Sequence, residues 1–352
     1  MITENAKSLL EDRYMLENEN SWSDICNRVA KNIAEQEEDP TKYQSKFYDI
    51  IHDLDFIPNS PTLMNADTDL QFLSACLVLP VEDSMEGIYD AIKNQALVTK
   101  AGAGTGFAFS DLRPKGDIVH STNKQSTGPL SFMKVFDQST EAVKQGGRRK
   151  GANMGVLNVH HPDIEDFIDA KTEEGVLENF NLSVGITDEF MEALENGEKY
   201  KLYNPRNNKI WDTIPAKRVW DKIVKNAHKN GEPGVVFLDE INRKHPVNEE
   251  IKGVNVCGEQ PLLEGESCNL GAINLANFVE GDEVNWHRLK DVIKTATRFL
   301  DDVIDANDYP IDLIEKKTKK YRKIGLGVMG WHEMLIKLNV RYDSEKALEL
   351  AE

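Results

Sequence analysis

Up to about Asp55 the chain reads as polar text with helical spacing, and the stretch FIPNSPT then interrupts it, because Pro58 and Pro61 cannot continue a helix. Beyond this break, short apolar runs alternate with amphipathic segments. SACLVLP, Ser74 to Pro80, predicts a buried strand. A helix capped by Asp83 or Ser84 follows, with Met85, Ile88, Ile92 and Thr99 at helical spacing. TGFAFSD is strand-like. GPLSFMKVFDQSTEAVKQGG predicts a helix with Pro129 in its first turn and glycines after its last. GVLNV, NLSVGIT, GVVFL and the segment leading into Cys257 are further strand candidates. NWHRLKDVIKTATRFLDDVID predicts a helix with Leu289, Val292, Ile293, Ala296, Phe299, Leu300, Val303 and Ile304 on one stripe. Strands alternating with helices predict an α/β fold with a largely parallel sheet and helical crossovers. Periodicity leaves a closed or half-closed barrel and an open sheet equally available.

Composition narrows the function. The 352 residues suffice for one large α/β domain or two ordinary ones. A formal net charge of −18 argues against a nucleic-acid polymer as ligand, and the one basic patch, KQGGRRKG at Lys144 to Gly151, is too short to track a duplex. MITENAKSLLEDRYML lacks the pattern of a signal peptide, and no apolar run approaches the roughly 18 residues of a membrane span. The reading is a cytoplasmic protein, with no nucleic acid and no membrane among its partners. Four sparse cysteines in a reducing compartment are not a disulfide framework, and no two have zinc-type spacing.

The chemistry gathers around GVNVCGEQPLL. In an extended segment Asn255, Cys257 and Glu259 would share a face, with Val256 and Gly258 on the other. An amide, a sulfur and a carboxylate on one face suit a hydroxylated substrate, although a lone cysteine is most often a small hydrophobe. Cys268 follows in GESCNLGAINL, and Cys76 lies upstream at the start of a strand. Brought together, Cys76 and Cys268 would form a dithiol able to deliver two electrons by closing to a disulfide. His160 and His161 precede Pro162 without a matching ligand cluster and read as structural, so no metal site is expected. Cys26 reads as an inert thiol, and Tyr14, Trp22 and Trp220 as packing aromatics.

Six ordered blocks, NSPTLMNA, LSACLVLPVEDSMEGIYDAI, KAGAGTGFAFSDLRPKGD, EAVKQGGRRKGANMGVL, NVCGEQPLL and SCNLGAINL, resemble the catalytic subunit of ribonucleotide reductases. The adenosylcobalamin-dependent class is the most similar. The resemblance implies a barrel of two five-stranded parallel halves with a finger loop through its centre. It implies a helical N-terminal region over residues 1–72 and the first part of the barrel over residues 73–352. Cys257 would be the thiyl-radical site that takes the 3′ hydrogen of a ribonucleotide, Glu259 the base for the 3′-hydroxyl, and Asn255 the group that orients the sugar. Cys76 and Cys268 would be the reducing pair. Thr62, Ala75, Gly104 and Arg149 fall at substrate contacts. Asp83, Ser84, Met85, Lys100 and Arg113 fall where an allosteric deoxynucleoside triphosphate binds at a homodimer interface. The implied cofactor is adenosylcobalamin, and the implied reductant is a thioredoxin-like protein or another thiol.

Val256 stands where relatives often have proline, and Lys150 where arginine is common. The chain stops at RYDSEKALELAE, soon after the first half of the expected barrel, so the resemblance implies a split or truncated enzyme and a complementary C-terminal chain. Two alternatives accompany this expectation. In one, a metal-containing partner subunit supplies the radical; in the other, the chain is a non-catalytic nucleotide-binding remnant.

Overall fold

The computed structural model describes residues 3–119, 123–143 and 151–352. The basic stretch with Arg149 and Lys150 lies outside the described residues. The chain forms two compact units: residues 1–75, 268–309 and 315–352 make one, and residues 76–267 and 310–314 the other.

The first unit is built on helices Glu4–Arg13, Trp22–Ala34, Pro40–His52 and Trp286–Ala306. Ser21 and Asp39 accept backbone N–H groups at two of the helix starts, and Pro40 occupies a first turn where its missing N–H costs nothing. The stripe expected on the last helix is buried at Leu289, Val292, Ala296, Phe299, Leu300, Val303 and Ile304, while Ile293 is exposed. Phe299 meets Phe47 and Phe56 edge-on, with ring centroids 5.2 and 5.5 Å apart. Arg28 is buried, donating to Glu19 Oε1 at 2.7 Å and to the carbonyls of Ala66 and Leu63. Strand Phe56–Pro58 runs antiparallel to Ser267–Asn274, which runs parallel to Ile324–Met329. FIPNSPT is therefore a strand followed by helix Ser60–Asn65, with Pro61 accommodated in the first turn.

In the second unit, strands Cys76–Leu79, Gly104–Ala108, Asn153–Asn158, Phe180–Ile186 and Gly234–Phe237 pair in that order, all parallel. A doubly wound sheet reverses its strand order at a switch point. This sheet never does, so the alternative left open by periodicity resolves to a half-barrel. Helices Met85–Lys100 and Pro129–Ala142 supply the first two crossovers. The stripe expected on the first of these is corrected: Ile88, Ala91, Gln95, Val98 and Thr99 are buried, and Met85 is exposed. Ser84, not Asp83, caps this helix, accepting from Gly87 N–H at 2.9 Å. No helix among the described residues is long and apolar enough to cross a membrane.

Candidate active site

The segment carrying Cys257 is a hairpin, not the extended strand expected from the sequence. Gly253–Val254 pairs antiparallel with Pro261–Leu262, and the chain reverses between them. Asn255 N–H donates to Gln260 O at 3.1 Å, and Gly258 N–H to Asn255 O at 3.1 Å. Gly258 takes a φ of +81°, a conformation that a residue with Cβ adopts only at a cost. Strand alternation therefore fails here. Asn255 turns inward and is buried, while Cys257 and Glu259 stand at the exposed tip.

The turn nevertheless gathers the expected groups by another route. Asn255 Oδ1 accepts from Gln260 N–H at 2.9 Å, and Asn255 Nδ2 donates to Cys76 Sγ at 2.9 Å. Cys76 Sγ also lies 3.6 Å from Glu259 Oε1, where the thiol can donate. Asn255 and Glu259 thus converge on the sulfur of Cys76, in a hairpin whose tip carries Cys257.

Glycines in the neighbouring strand make room for this hairpin. A Cβ on Gly106 would lie 2.0 Å from Val254 O, and one on Gly104 would lie 2.3 Å from Val256 Cγ2. The run AGAGTG is thus the start of a strand against which the hairpin backbone lies. Asn181 Nδ2 donates to Val256 O at 2.8 Å, which fixes the peptide preceding Cys257. Neither Gly106 nor Asn181 was singled out from the sequence; the glycine run was the only signal, and it resembles a common turn.

In the first unit, Thr62 is fully buried, with Oγ1 2.6 Å from Asn59 Oδ1 and 3.1 Å from Leu73 O. Its hydroxyl is engaged inside the unit. Ala75 N–H donates to Cys268 O at 3.3 Å, and Cys268 is a buried thiol 3.2 Å from Asn269 O. Cys26 is also buried, which pushes its thiol far above the ordinary range.

A cavity in the sheet unit, of about 800 Å³, is lined by Asp83, Ser84, Met85, Arg113, Phe132 and Arg206 among others. The Arg113 guanidinium holds Asp83, with Nε 2.9 Å from Oδ2, and Asp83 Oδ1 also accepts Arg113 N–H at 3.2 Å. Arg206 pairs with Asp117 at 3.1 Å. Burial pushes the Asp117 carboxyl up, but hydrogen bonds from Asn204 and Ile118 and the Arg206 charge outweigh it and hold the group below the usual range. Lys100 stands at the other end of helix Met85–Lys100, about 22 Å from Met85 along the axis, and does not line the cavity. His161 holds the backbone of Leu112, which lines the cavity. Burial keeps it neutral, so Nε2–H donates to Leu112 O at 2.9 Å while Nδ1 accepts from Asp163 N–H at 3.0 Å. His160 binds Thr187 Oγ1 and Lys201 O.

Beneath this helix lies a buried network. Gln95 Nε2 donates to Thr140 Oγ1 at 2.7 Å and Asn153 Oδ1 at 2.9 Å, and Thr105 Oγ1 reaches the same oxygen at 2.6 Å. It ties two crossover helices to two strands.

Comparison with known proteins places this geometry. Residues 1–71 match the model of the ribonucleotide reductase all-alpha domain, and residues 74–352 that of the ribonucleotide reductase barrel domain. The chain is 56% identical to a vitamin B12-dependent ribonucleoside-diphosphate reductase of Thermoplasma acidophilum, covering 88% of this chain and 41% of that protein. It is 46% identical to one of Mycobacterium tuberculosis, covering 98% of this chain and 52% of that protein. Identity is 32% to the ribonucleoside-diphosphate reductase subunit alpha of Chlamydia trachomatis, covering 92% of this chain and 35% of that protein. The chain spans about half the length, or less, of the curated relatives it matches.

Proposed function

The chain belongs to the ribonucleotide reductase family, and from that premise we propose that it carries the thiyl-radical site of a cobalamin-dependent ribonucleoside-diphosphate reductase. The observation that carries the proposal is the convergence of Asn255 and Glu259 on Cys76 beneath the exposed Cys257.

A radical that arrives from outside the chain needs a sulfur it can reach, and Cys257 at the hairpin tip meets that requirement, so this part of the site fits adenosylcobalamin. When bound, that cofactor supplies an organic radical by homolysis of its cobalt–carbon bond. Cys257 gives up the hydrogen of its S–H and then takes the 3′ hydrogen of the ribose. The S–H bond formed is close in strength to the C–H bond broken, so the step is nearly balanced and reversible. Glu259 accepts the 3′-hydroxyl proton, and the 2′-hydroxyl departs as water with a proton from one of the two reducing thiols. Asn255 Nδ2 carries two hydrogens, one for Cys76 and one for the sugar. Cys76 and Cys268 supply two electrons and close to a disulfide, which an external thiol reductant reopens.

The roles of Thr62, Ala75, Gly104 and Arg149 toward the substrate, and the division of the chain near residue 72, remain part of this proposal. The cavity at Asp83, Ser84, Met85 and Arg113 takes a deoxynucleoside triphosphate. The exposed Met85 and Tyr89 beside it support pairing with a second copy. Lys100, at the far end of that helix, serves an effector only at a distance from this cavity. Because the relatives named for the reaction are about twice as long, turnover is assigned to this chain together with the remaining half of the barrel.

The test is anaerobic deoxynucleotide formation with a dithiol reductant and the complementary half, with and without adenosylcobalamin. Turnover that requires the cofactor is expected. Turnover that ignores it and requires a metal-containing partner subunit would replace the radical source. Silence in both arms, from folded protein, would reject the enzymatic reading.

A further inference from the structure

We propose that Glu37 and Asp302 share one proton beside the Arg298 guanidinium, and that losing this proton loosens the turn of helix Trp286–Ala306 on which the strand carrying Cys268 hangs.

Glu37 lies at the corner between helices Trp22–Ala34 and Pro40–His52, where its N–H donates to Ala34 O at 3.0 Å. Its side chain is buried, and Arg298 reaches it from helix Trp286–Ala306, donating Nε–H to Oε1 and Nη2–H to Oε2, the latter at 2.6 Å. The Tyr43 ring packs against the same guanidinium, 4.5 Å from its central carbon. Two carboxylate oxygens and an aromatic face thus fix the arginine on Glu37, leaving Asp302 no guanidinium of its own. Asp302 stands one turn further along the helix, hydrogen-bonded to Glu37, and its Oδ2 is buried with no partner among the described residues. Two carboxyls hydrogen-bond only through a proton, and a buried carboxylate oxygen without a donor is costly to charge.

The neighbouring charges decide where that proton resides. The hydrogen bonds from Arg298 hold Glu37 below the usual carboxylate range against its burial, and the Lys42 charge helps. Burial pushes Asp302 up to about 7, the Glu37 charge and hydrogen bond and the Asp301 charge add to the push, and Arg298 opposes it. Asp301 is itself held by Arg322 Nε at 2.8 Å. The proton therefore sits on Asp302 and is donated to Glu37. Two residues back on the helix, Leu300 O accepts from Asn269 Nδ2 at 2.7 Å, and Asn269 follows Cys268 in strand Ser267–Asn274. Deprotonation sets a second negative charge against Glu37 with one guanidinium between them, and the helix turn that carries Asn269 gives way.

The test is a titration of the full chain labelled with carbon-13 at aspartate Cγ and nitrogen-15 at asparagine Nδ2, with the Asp302 signal assigned by Asp302→Asn. Asp302 should titrate near pH 7, and Glu37→Gln, which removes the competing charge and frees Arg298, should return it toward its ordinary 3.8. The Asn269 amide should shift with the Asp302 midpoint. Unfolding supplies a second readout. The stability that protonated Asp302 gives is complete below 3.8 and is lost as pH rises through about 7, because the folded chain keeps a proton that the unfolded chain has released. Between roughly pH 5.5 and 7 the folding equilibrium of the parent should therefore fall by up to about tenfold per pH unit relative to Asp302→Asn, whose amide donates to Glu37 without ionising. An Asp302 midpoint near 3.8, or a parent with the same pH slope as Asp302→Asn, overturns the shared proton. An Asn269 amide that ignores the Asp302 midpoint overturns its link to the strand of Cys268.

Discussion

The hairpin of Cys257 and the cavity beside Arg113 belong to the same unit and are held by different forces. The hairpin is fixed by neutral contacts at close range: two glycines without Cβ, two backbone hydrogen bonds and an amide on a sulfur. The cavity is edged by ion pairs, Asp83 with Arg113 and Asp117 with Arg206, around a wide opening. Chemistry at a sugar carbon needs atoms placed to fractions of an ångström. The effector proposed for the cavity is charged, and the ion pairs that edge the opening offer charges for it to exchange with. Shape governs one site, and charge the other.

The sharpest way to break the comparison is Gly106→Ala. Its Cβ would meet the Val254 carbonyl at 2.0 Å, and backbone cannot rotate away as a side chain can. We expect a loss of about 3 kcal/mol in denaturant unfolding and faster alkylation of Cys257 as the hairpin is displaced. A variant as stable as the parent would mean that the strand does not confine the hairpin. Next in size is Arg113→Ala. Calorimetry should show effector affinity falling roughly 10- to 100-fold, while global stability changes by less than about 1 kcal/mol because the pair is partly exposed. Smaller again is the effect of salt. Raising ionic strength from about 0.1 to 1 M should weaken effector binding several-fold and leave amide exchange of the hairpin backbone in place. Equal salt sensitivity at both sites would erase the distinction.

The smallest expected effect is one of pH at the cavity rim. Burial depresses His161 below its ordinary value of 6.5, so protons bind the unfolded chain more readily than the folded one. The stability that neutral His161 gives is therefore complete above about pH 6.5 and is lost as pH falls through the folded value. Effector affinity should be flat above pH 6.5 and decline below it, and His161→Gln, which can keep the donor to Leu112, should flatten the decline.

Much of this was legible in the sequence. The five parallel strands follow from apolar runs spaced by helices, and Asn255, Cys257 and Glu259 stand out by residue type and spacing, whereas Cys76 was paired with Cys268 and came to the site through the family resemblance. The arrangement within the set was not legible. Alternation assumes a strand that continues, and here Gly258 and the hydrogen bonds of Asn255 and Gln260 reverse the chain. Met85 was placed on a buried stripe because spacing alone cannot say which face of a helix meets the sheet; the buried face instead carries Gln95, whose polar network no periodicity would reveal. Thr62 shows the same limit, its hydroxyl being engaged by Asn59 and Leu73. Strand Ser267–Asn274 was missed because Cys268, Asn269 and Gly271 blur the apolar pattern.

The central claim is that Cys257 begins the reaction on the sugar. Its most direct measurement is deoxynucleotide formation by the reconstituted barrel carrying Cys257→Ala, compared with the parent under the same anaerobic conditions. The account predicts that product vanishes while effector binding remains as in the parent. Product formed at an appreciable rate by Cys257→Ala would contradict it.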